Sequence, residues 1–457
     1  MPGDNYLAEL TACPRCDKSP LLPLGDSLRC AACKVDFPSL DGIPWLFADP
    51  ESSFGEWRNR LHFALRQLAT QSQHLQAELG HCDPESLTAK RLAKLLAATD
   101  EHRRMLRDLL APADVQSTQA SFETYLALRT RLPVDQGIST YYANIHRDWS
   151  WGDEENRASL ELIRGIAAGQ ALGDTLVLGS GASRLAYDIH TTLETKRTVA
   201  MDFNPLLMLV AKQVVTGKSL QLYEFPLAPR SLDDVAVKRT LSAPAPADDN
   251  FLLVLADALR PPFARGSFDT VITPWIIDIL NEDLQVQAAR INNLLKPDGR
   301  WINFGSLGFD HPLRARCYST EETLAIVASS GFDTPLTSEE TIPYMCSPAS
   351  RHGRQETVLT FAAKKNADAR APERHKALPD WIVTGKVPVP ALESFRSQAI
   401  STQIYSYVMS MIDGKRTIND MAKILEQQKL MTMDDAVPAI RSFLTRMYDD
   451  SQRNQGF

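Results

Sequence analysis

Between residues 267 and 307 the chain alternates apolar runs with polar punctuation in the order strand, helix, turn, strand. Asp269-Thr-Val-Ile-Thr is β-rich and mostly apolar, the composition of a strand buried on both faces. Pro274-Trp-Ile-Ile-Asp278 follows and sets a carboxylate just past that strand's carboxyl end. Residues 288–295 carry apolar positions at helical spacing, Lys296-Pro-Asp-Gly299 breaks them, and Trp301-Ile-Asn-Phe opens another strand. The plan recurs upstream. Thr175-Leu-Val-Leu178 predicts a short buried strand, Gly179-Ser-Gly181-Ala-Ser-Arg184 a small-residue loop, and residues 185–190 the start of a helix. Val199-Ala-Met-Asp202 and Leu252-Leu-Val-Leu-Ala-Asp257 each predict an apolar strand followed by an acid. The class is α/β, and open α/β sheets bind ligands beyond the carboxyl ends of their strands.

Residues 51–135 are rich in Leu, Ala, Arg, Glu and Gln, with Leu61, Leu65 and Leu68 at helical spacing, and predict a helical extension divided at Pro84 and Pro112. His62, His74, His81 and His102 are scattered through it without paired ligand spacing, as expected of solvent-facing or satisfied histidines. Residues 366–390, with Pro372, Pro379, Pro388 and Pro390, predict a linker. Beyond it, residues 391–457 predict a small helical unit. Ile404, Val408, Met411 and Ile412 form one apolar face, Asp413-Gly414 turns the chain, and Thr417-Ile-Asn-Asp420 has the form of a capping box. A third helix carries Val437, Ile440, Phe443, Leu444 and Met447.

Charge narrows the function. The 457 residues carry 49 basic and 56 acidic side chains, a net charge of −7, which gives no general attraction to a phosphate backbone and argues against nucleic acid as partner. The first residues lack the basic-then-apolar plan of a secretory signal, and no apolar run approaches the ~18 residues of a membrane span. A cytoplasmic protein without membrane contact is expected. Four of the seven cysteines form Cys13-Pro-Arg-Cys16 and Cys30-Ala-Ala-Cys33, thirteen residues apart. Thiolates so spaced complete a tetrahedral Zn²⁺ site, and a closed four-sulfur shell is structural. Residues 1–50 thus predict a zinc ribbon, with apolar residues 37–47 supplying the surface that metal alone does not. A redox role would need a thioredoxin-like context, which is absent around these pairs. Cys82, Cys317 and Cys346 have no ligand spacing.

Asp202 follows the glycines by about twenty residues, the interval at which an acid hydrogen-bonds a ribose hydroxyl pair. A lone GxG is a weak signal, and Arg184 stands where the third glycine of the dinucleotide pattern would fall. Gly179 and Gly181 also fit a plain tight turn, and Asp202 a helix cap.

The succession LGSGASRLAYDI, MDFNPLLM, ADAL, WIIDIL and LLKPDGRWINFGSL, preceded by Arg147-Asp-Trp-Ser150, resembles the class I S-adenosylmethionine-dependent methyltransferases and, among them, the carnosine N-methyltransferase family. The resemblance spans roughly residues 120–365 and implies a Rossmann-like seven-stranded methyltransferase sheet within a domain at 136–365. It implies that Gly179, Gly181 and Arg184 approach the amino-acid end of the cofactor, that Asp202 holds the ribose, and that Asp257 and Ala258 meet the adenine. Arg147 would close the pocket. It further implies that Asp278 binds one imidazole nitrogen of the acceptor, with Tyr344 and His311 beside it. Asp278 also fits an N-cap of the helix after its strand.

This chain departs from the family at Gly305-Ser-Leu-Gly-Phe-Asp310-His311, where the histidine is shifted by one residue, and at Arg354, Gln355 and Glu356, which replace a tyrosine cluster. Carnosine therefore gives way to a wider acceptor class: a histidine-containing peptide or protein, a small imidazole, or another nitrogen. The ribbon resembles those that accompany or activate several methyltransferases. Residues 411–421 resemble the winged-helix peptide chaperone of pyrroloquinoline quinone biosynthesis, which implies peptide docking; a structural or dimerising appendage is the alternative. Two functions compete: an N-methyltransferase, and a cofactor-binding scaffold that assembles partners through its terminal domains.

Overall fold

The computed structural model describes residues 7–114, 141–311, 313–372 and 387–455. The predicted helical stretch beyond residue 114 and the linker around Pro379 lie outside them. The chain divides into two compact units, Met1–Ala377 and Leu378–Phe457.

The first unit begins with β1 (Leu22–Leu24), β2 (Ser27–Arg29) and β3 (Asp36–Phe37), an antiparallel sheet flanked by the cysteine pairs. The hairpin β4 (Ser39–Leu40) and β5 (Ile43–Pro44) turns at Asp41-Gly42, both with positive φ, as a two-residue primed turn requires. Two long helices follow, α1 (Pro50–Leu79) and α2 (Leu87–Leu109), the second capped by Ser86, whose side chain accepts the Ala89 N–H. Their apolar stripe does not end on itself. Trp57, Leu61, Leu106 and Leu109 join one core with Leu40, Ile43 and Trp45 of the ribbon and with Val177, Ala200 and Ile272 of the large sheet. His102, expected to be solvent-facing or satisfied, is buried against Tyr142 and Phe225, and its Nδ1 has no hydrogen-bond partner. Burial holds it near pKa 4, so it is neutral.

The large sheet comprises β6 (Gly173–Leu178), β7 (Thr195–Asp202), β10 (Phe251–Leu255), β11 (Phe268–Pro274), β12 (Leu295–Gly305), β13 (Leu336–Tyr344) and β14 (Arg354–Lys364). A separate hairpin pairs β8 (Leu220–Glu224) with β9 (Val237–Leu241). The sheet order is β10-β7-β6-β11-β12-β14-β13. The first five strands are parallel, and β14 runs antiparallel between β12 and β13. This is the Rossmann-like seven-stranded sheet. Strand order reverses between β6 and β11, which makes their carboxyl ends the switch point where such sheets open a crevice.

Lys296-Pro-Asp-Gly299 was expected to precede the strand; it lies inside β12. The pairing jumps from Phe268↔Leu295 to Thr270↔Arg300, so these four residues loop out of register while the strand continues on both sides. Helices α3 (Tyr142–His146), α4 (Asp153–Ala167), α5 (Arg184–Thr192), α6 (Pro205–Val215), α7 (Leu284–Leu294) and α8 (Thr320–Ser329) complete the unit.

The second unit holds α9 (Glu393–Ser410), α10 (Ile418–Gln427) and α11 (Met433–Gln455) around Met411, Met421, Ala422, Leu425, Ala436 and Ile440. Thr417 and Asp420 form the capping box reciprocally. Among the described residues of this unit there is no strand, so a winged hairpin is not part of what is seen. No described helix is long and apolar enough to cross a membrane.

Trp301 is fully buried in β12, packs on Phe332 and Phe361, and donates its indole N–H to Thr273 Oγ1 at 2.8 Å. Trp301→Ala should lower the stability of the first unit by about 3–5 kcal/mol, measured by denaturant unfolding followed by circular dichroism; a loss under about 1 kcal/mol would contradict this packing.

Candidate functional site

The crevice is built from glycines first. Strand β6 ends at Leu178, and Gly179 turns the chain with φ +70°. A Cβ there would lie 2.6 Å from Ile276 Cδ1. The N–H groups of Gly179 and Ser180 both donate to the Met201 carbonyl, at 2.9 and 3.0 Å. Gly181 also has positive φ, but a side chain there would meet nothing within 4 Å; it faces open space. Its N–H donates to Asp202 Oδ2 at 2.9 Å.

Asp202 closes β7, is almost fully buried, and also accepts the Asn204 N–H at 2.9 Å. The helix cap is Asn204, whose side chain takes the Leu206 N–H, so Asp202 is not the cap of α6. Burial raises the Asp202 pKa to about 6 against the opposing backbone N–H bonds.

Two adjoining cavities meet at this loop. The smaller, about 150 Å³, is lined by Asp202, Asp257, Ala258, Ile276 and Ile279; Asp257 accepts the Leu259 N–H at 2.8 Å. The larger, about 290 Å³, is lined by Gly179, Gly181, Asp202, Arg147, Asp278 and Tyr344 together with Tyr141, Asn144, Glu155, Trp275 and Arg354.

Arg147 opens a π-helical turn, Arg147–Trp151. It bonds Asp148 at 2.7 Å and Glu155 at 3.1 Å, and its guanidinium lies 5.9 Å from the centre of the Tyr344 ring. Burial pushes the pKa values of Asp148 and Glu155 up, opposed by the Arg147 charge. Trp149 donates its indole N–H to the Ala182 carbonyl at 2.8 Å and so ties this turn to the glycine loop. Arg184 lines neither cavity. It is held by Asp188 at 2.9 Å and by the Asp148 carbonyl at 2.7 Å, which makes it a strut behind the loop.

Asp278 sits in the turn after β11, half-buried, and accepts the Gly308 N–H at 2.8 Å. The cap of the following helix is Asp283, which takes the Gln285 N–H, so the carboxylate of Asp278 is not spent on capping. Tyr344 ends β13 and packs on Trp275 at 4.9 Å between ring centres. His311 does not join them. Its Nε2 meets Asn281 Oδ1 at 3.2 Å, its Nδ1 accepts the Leu313 N–H at 2.9 Å, and it lines neither cavity.

Tyr141 was missed from sequence, and nothing in its neighbourhood marks it. It lines the larger cavity with Asp202 and Asp278, and burial raises its pKa, reinforced by Asp202, Tyr344 and Asp278. Trp275 carried a signal that was passed over: a bulky residue at the end of β11, held at φ +52°. At the other end of the unit, the Cys13, Cys16, Cys30 and Cys33 sulfurs all lie within 4.8 Å of one another. A tetrahedron with metal–sulfur bonds of about 2.3 Å has edges of about 3.8 Å, so the set fits a thiophilic ion.

Residues 176–303 match the family model described as a methyltransferase domain. Carnosine N-methyltransferase of Dictyostelium discoideum is 27% identical over 148 residues, covering 29% of this chain and 31% of that protein; the chain thus spans about a third of this curated relative. Among solved structures, the YcgJ protein of Bacillus subtilis aligns with a TM-score of 0.32 at 14% identity, over 46% of this chain and 99% of that one. A phosphoethanolamine N-methyltransferase of Haemonchus contortus, in complex with phosphomonomethylethanolamine and S-adenosylhomocysteine, aligns with a TM-score of 0.33 at 16% identity, over 54% and 61%. The chain carries a class I S-adenosylmethionine-dependent methyltransferase domain.

The raised pKa of Asp202 has a signed consequence. Folding without ligand favours its protonated form, so this group's penalty on stability is present above about pH 6 and is relieved as pH falls from about 6 toward about 4. Hydroxyl donors bind the ionised form. With Asp202 as the acceptor of the ribose hydroxyls, the role expected from the sequence, cofactor affinity should weaken as pH falls through about 6, and Asp202→Asn should be weak and flat with pH. Calorimetric titration at about pH 5 and about pH 7.5 tests this; equal affinity in the wild type at both would contradict it.

Proposed function

We propose that the protein methylates a ring nitrogen of an imidazole, in a histidine-containing peptide, protein or small molecule, with S-adenosylmethionine as donor. The observation that carries this reading is the convergence of Asp278 and Tyr344 on the cavity that Gly179, Gly181 and Asp202 also line. The partial match to a carnosine N-methyltransferase favours the same acceptor chemistry. When bound, S-adenosylmethionine supplies a sulfonium methyl group whose carbon a nitrogen lone pair attacks in line, the N–C bond forming as the sulfur leaves with the C–S electrons.

The protein's part is position and charge. Gly179 and Gly181 let backbone approach the amino-acid end, Asp202 takes the ribose hydroxyls, and Asp257 with Ala258 meets the adenine in the smaller cavity. Arg147 backs the wall. Asp278, with its capping role taken by Asp283, accepts the N–H of one ring nitrogen, which fixes the tautomer and leaves the other lone pair to react. As the ring becomes cationic that N–H grows acidic, and the carboxylate stabilises it. The ring of Trp275 favours the same developing charge.

Asp278→Asn should keep cofactor affinity near that of the wild type and lose about two or more orders of magnitude in turnover; Tyr344→Phe should lose less. Mass spectrometry of histidine peptides incubated with labelled cofactor reads turnover, and calorimetry reads affinity. Full turnover in Asp278→Asn would end the imidazole reading.

The four cysteines we assign to one structural Zn²⁺. Cys13 and Cys30 are buried in the same core as Phe263, Phe268 and Val271, so the ion stabilises more than its own loop. Metal analysis should find one zinc per chain, and chelation should lower the melting temperature of the whole first unit. Protein purified under reducing conditions without zinc, or melting unchanged by chelator, would refute the assignment.

A further inference from the structure

Arg354 lines the large cavity and also a neighbouring surface hollow of about 320 Å³. That hollow is bounded by Arg230, Arg351, His352 and Arg354, and none of its lining residues is acidic. Three guanidinium groups gathered at one mouth run against the charge of the chain as a whole, which is −7.

The wall that carries them is built rather than draped. Pro229 and Ser350 form an antiparallel bridge. The Arg230 N–H donates to the Ala349 carbonyl at 3.1 Å, and the Arg351 N–H to the Ala228 carbonyl at 2.9 Å. Each side chain is steadied by one bond to backbone: Arg230 Nε to the Ser350 carbonyl at 2.9 Å, and Arg351 Nη2 to the Arg230 carbonyl at 3.0 Å. One donor of each five-donor fork is used in this way. Arg354 lies over the Tyr344 ring at 4.6 Å and pairs with Glu356, so its planar fork is held at the boundary of the two cavities.

We propose that the acceptor carries a carboxylate beside the nitrogen that is methylated, and that Arg354, backed by Arg351 and Arg230, binds it. The inference rests on reading the large cavity as the acceptor seat. A guanidinium fork matches a carboxylate in two parallel hydrogen bonds, and with Nε of Arg354 on Glu356 its two terminal nitrogens keep donors for them. A histidine residue's own carboxylate, or that of an adjacent residue, lies within reach of a group bordering both cavities.

The test is calorimetric titration of the full chain, saturated with S-adenosylhomocysteine, using four probes: N-acetylhistidine, N-acetylhistidine amide, succinate and inorganic phosphate. N-acetylhistidine should bind about tenfold tighter than its amide, the size of one charge-assisted pair. Arg351→Gln and Arg354→Gln should erase the preference and Arg351→Lys should keep most of it, with affinity for S-adenosylhomocysteine unchanged in Arg351→Gln. Retention by lysine separates a charge effect from a structural one. Acid and amide binding alike would overturn the proposal and leave the imidazole reading standing. Succinate binding that depends on Arg351, with neither histidine probe binding, would uphold the anion site and discard the imidazole. Phosphate binding tighter than any carboxylate would overturn the carboxylate assignment, as would no binding of any probe.

Discussion

The site depends on a contact with no spare room. Strands β6 and β11 are parallel neighbours whose chains depart in opposite directions and open the crevice, yet at their roots the two exit loops still touch. They do so at Gly179 and Ile276, where a single added carbon would sit 2.6 Å from Ile276 Cδ1. The next strand repeats the device. Gly305 ends β12 beside Trp275, whose N–H donates to the Phe304 carbonyl at 2.7 Å. Trp275 adopts positive φ between these two contacts, a conformation costly for a bulky residue. Its reversal buries Ile276 and returns Asp278 toward the crevice. The glycine loop and the Asp278 carboxylate are thereby set by the same interlocked strand ends.

Over this frame lies a charged clasp. Arg147 is buried with Asp148 and Glu155, and buried ion groups of this kind rarely add net stability, because desolvation cancels most of the attraction. What they add here is placement. Glu155 takes the Met345 N–H at 2.7 Å, one residue beyond Tyr344, while Trp149 in the same turn holds the Ala182 carbonyl of the glycine loop. One short π-helical segment therefore holds the glycine loop directly through Trp149 and the end of β13 through Arg147 and its partner Glu155. Rearranging it would uncover two buried carboxyls, which is a strong restraint on its geometry.

The parts legible in the sequence are those where local chemistry and tertiary role coincide. Apolar runs gave β7, β10 and β11, because the stretch of each strand buried on both faces carries no charged residue until the chain nears the sheet's carboxyl edge. The capping box at Thr417 was legible for the same reason: its two partners are three residues apart. Arg184 was misplaced because spacing brings it to the loop but cannot say which way it points, and Asp188, one helical turn on, claims it. His311 followed a similar course, drawn off by Asn281 and the Leu313 N–H. The looped-out Lys296-Pro-Asp-Gly299 carries turn chemistry, yet its neighbours on both sides pair with β11, and pairing across strands is invisible to a window of sequence. Tyr141 and the arginine-lined hollow depend on segments more than a hundred residues apart, and no local pattern announces them.

The ribbon, finally, is more than a neighbour of the sheet. Strand β10 is the outer parallel strand, and its free edge would expose unpaired backbone groups. Trp45 bridges Leu255 there, the Leu46 N–H donates to the Leu255 carbonyl at 2.7 Å, and the Ala12 N–H donates to the Pro262 carbonyl at 2.9 Å. These contacts bracket residues 255–262, the stretch that carries Asp257 and Ala258 into the smaller cavity. The far end of that stretch is held from Ala12, next to Cys13, and the near end from the residues just after the β4–β5 hairpin. Order in the sulfur cluster is thereby coupled through backbone hydrogen bonds to the wall of the smaller cavity, although no cysteine approaches it. The four-cysteine cluster at this sheet edge thus lends no side chain to the cavity, and it fixes the loop that lines it.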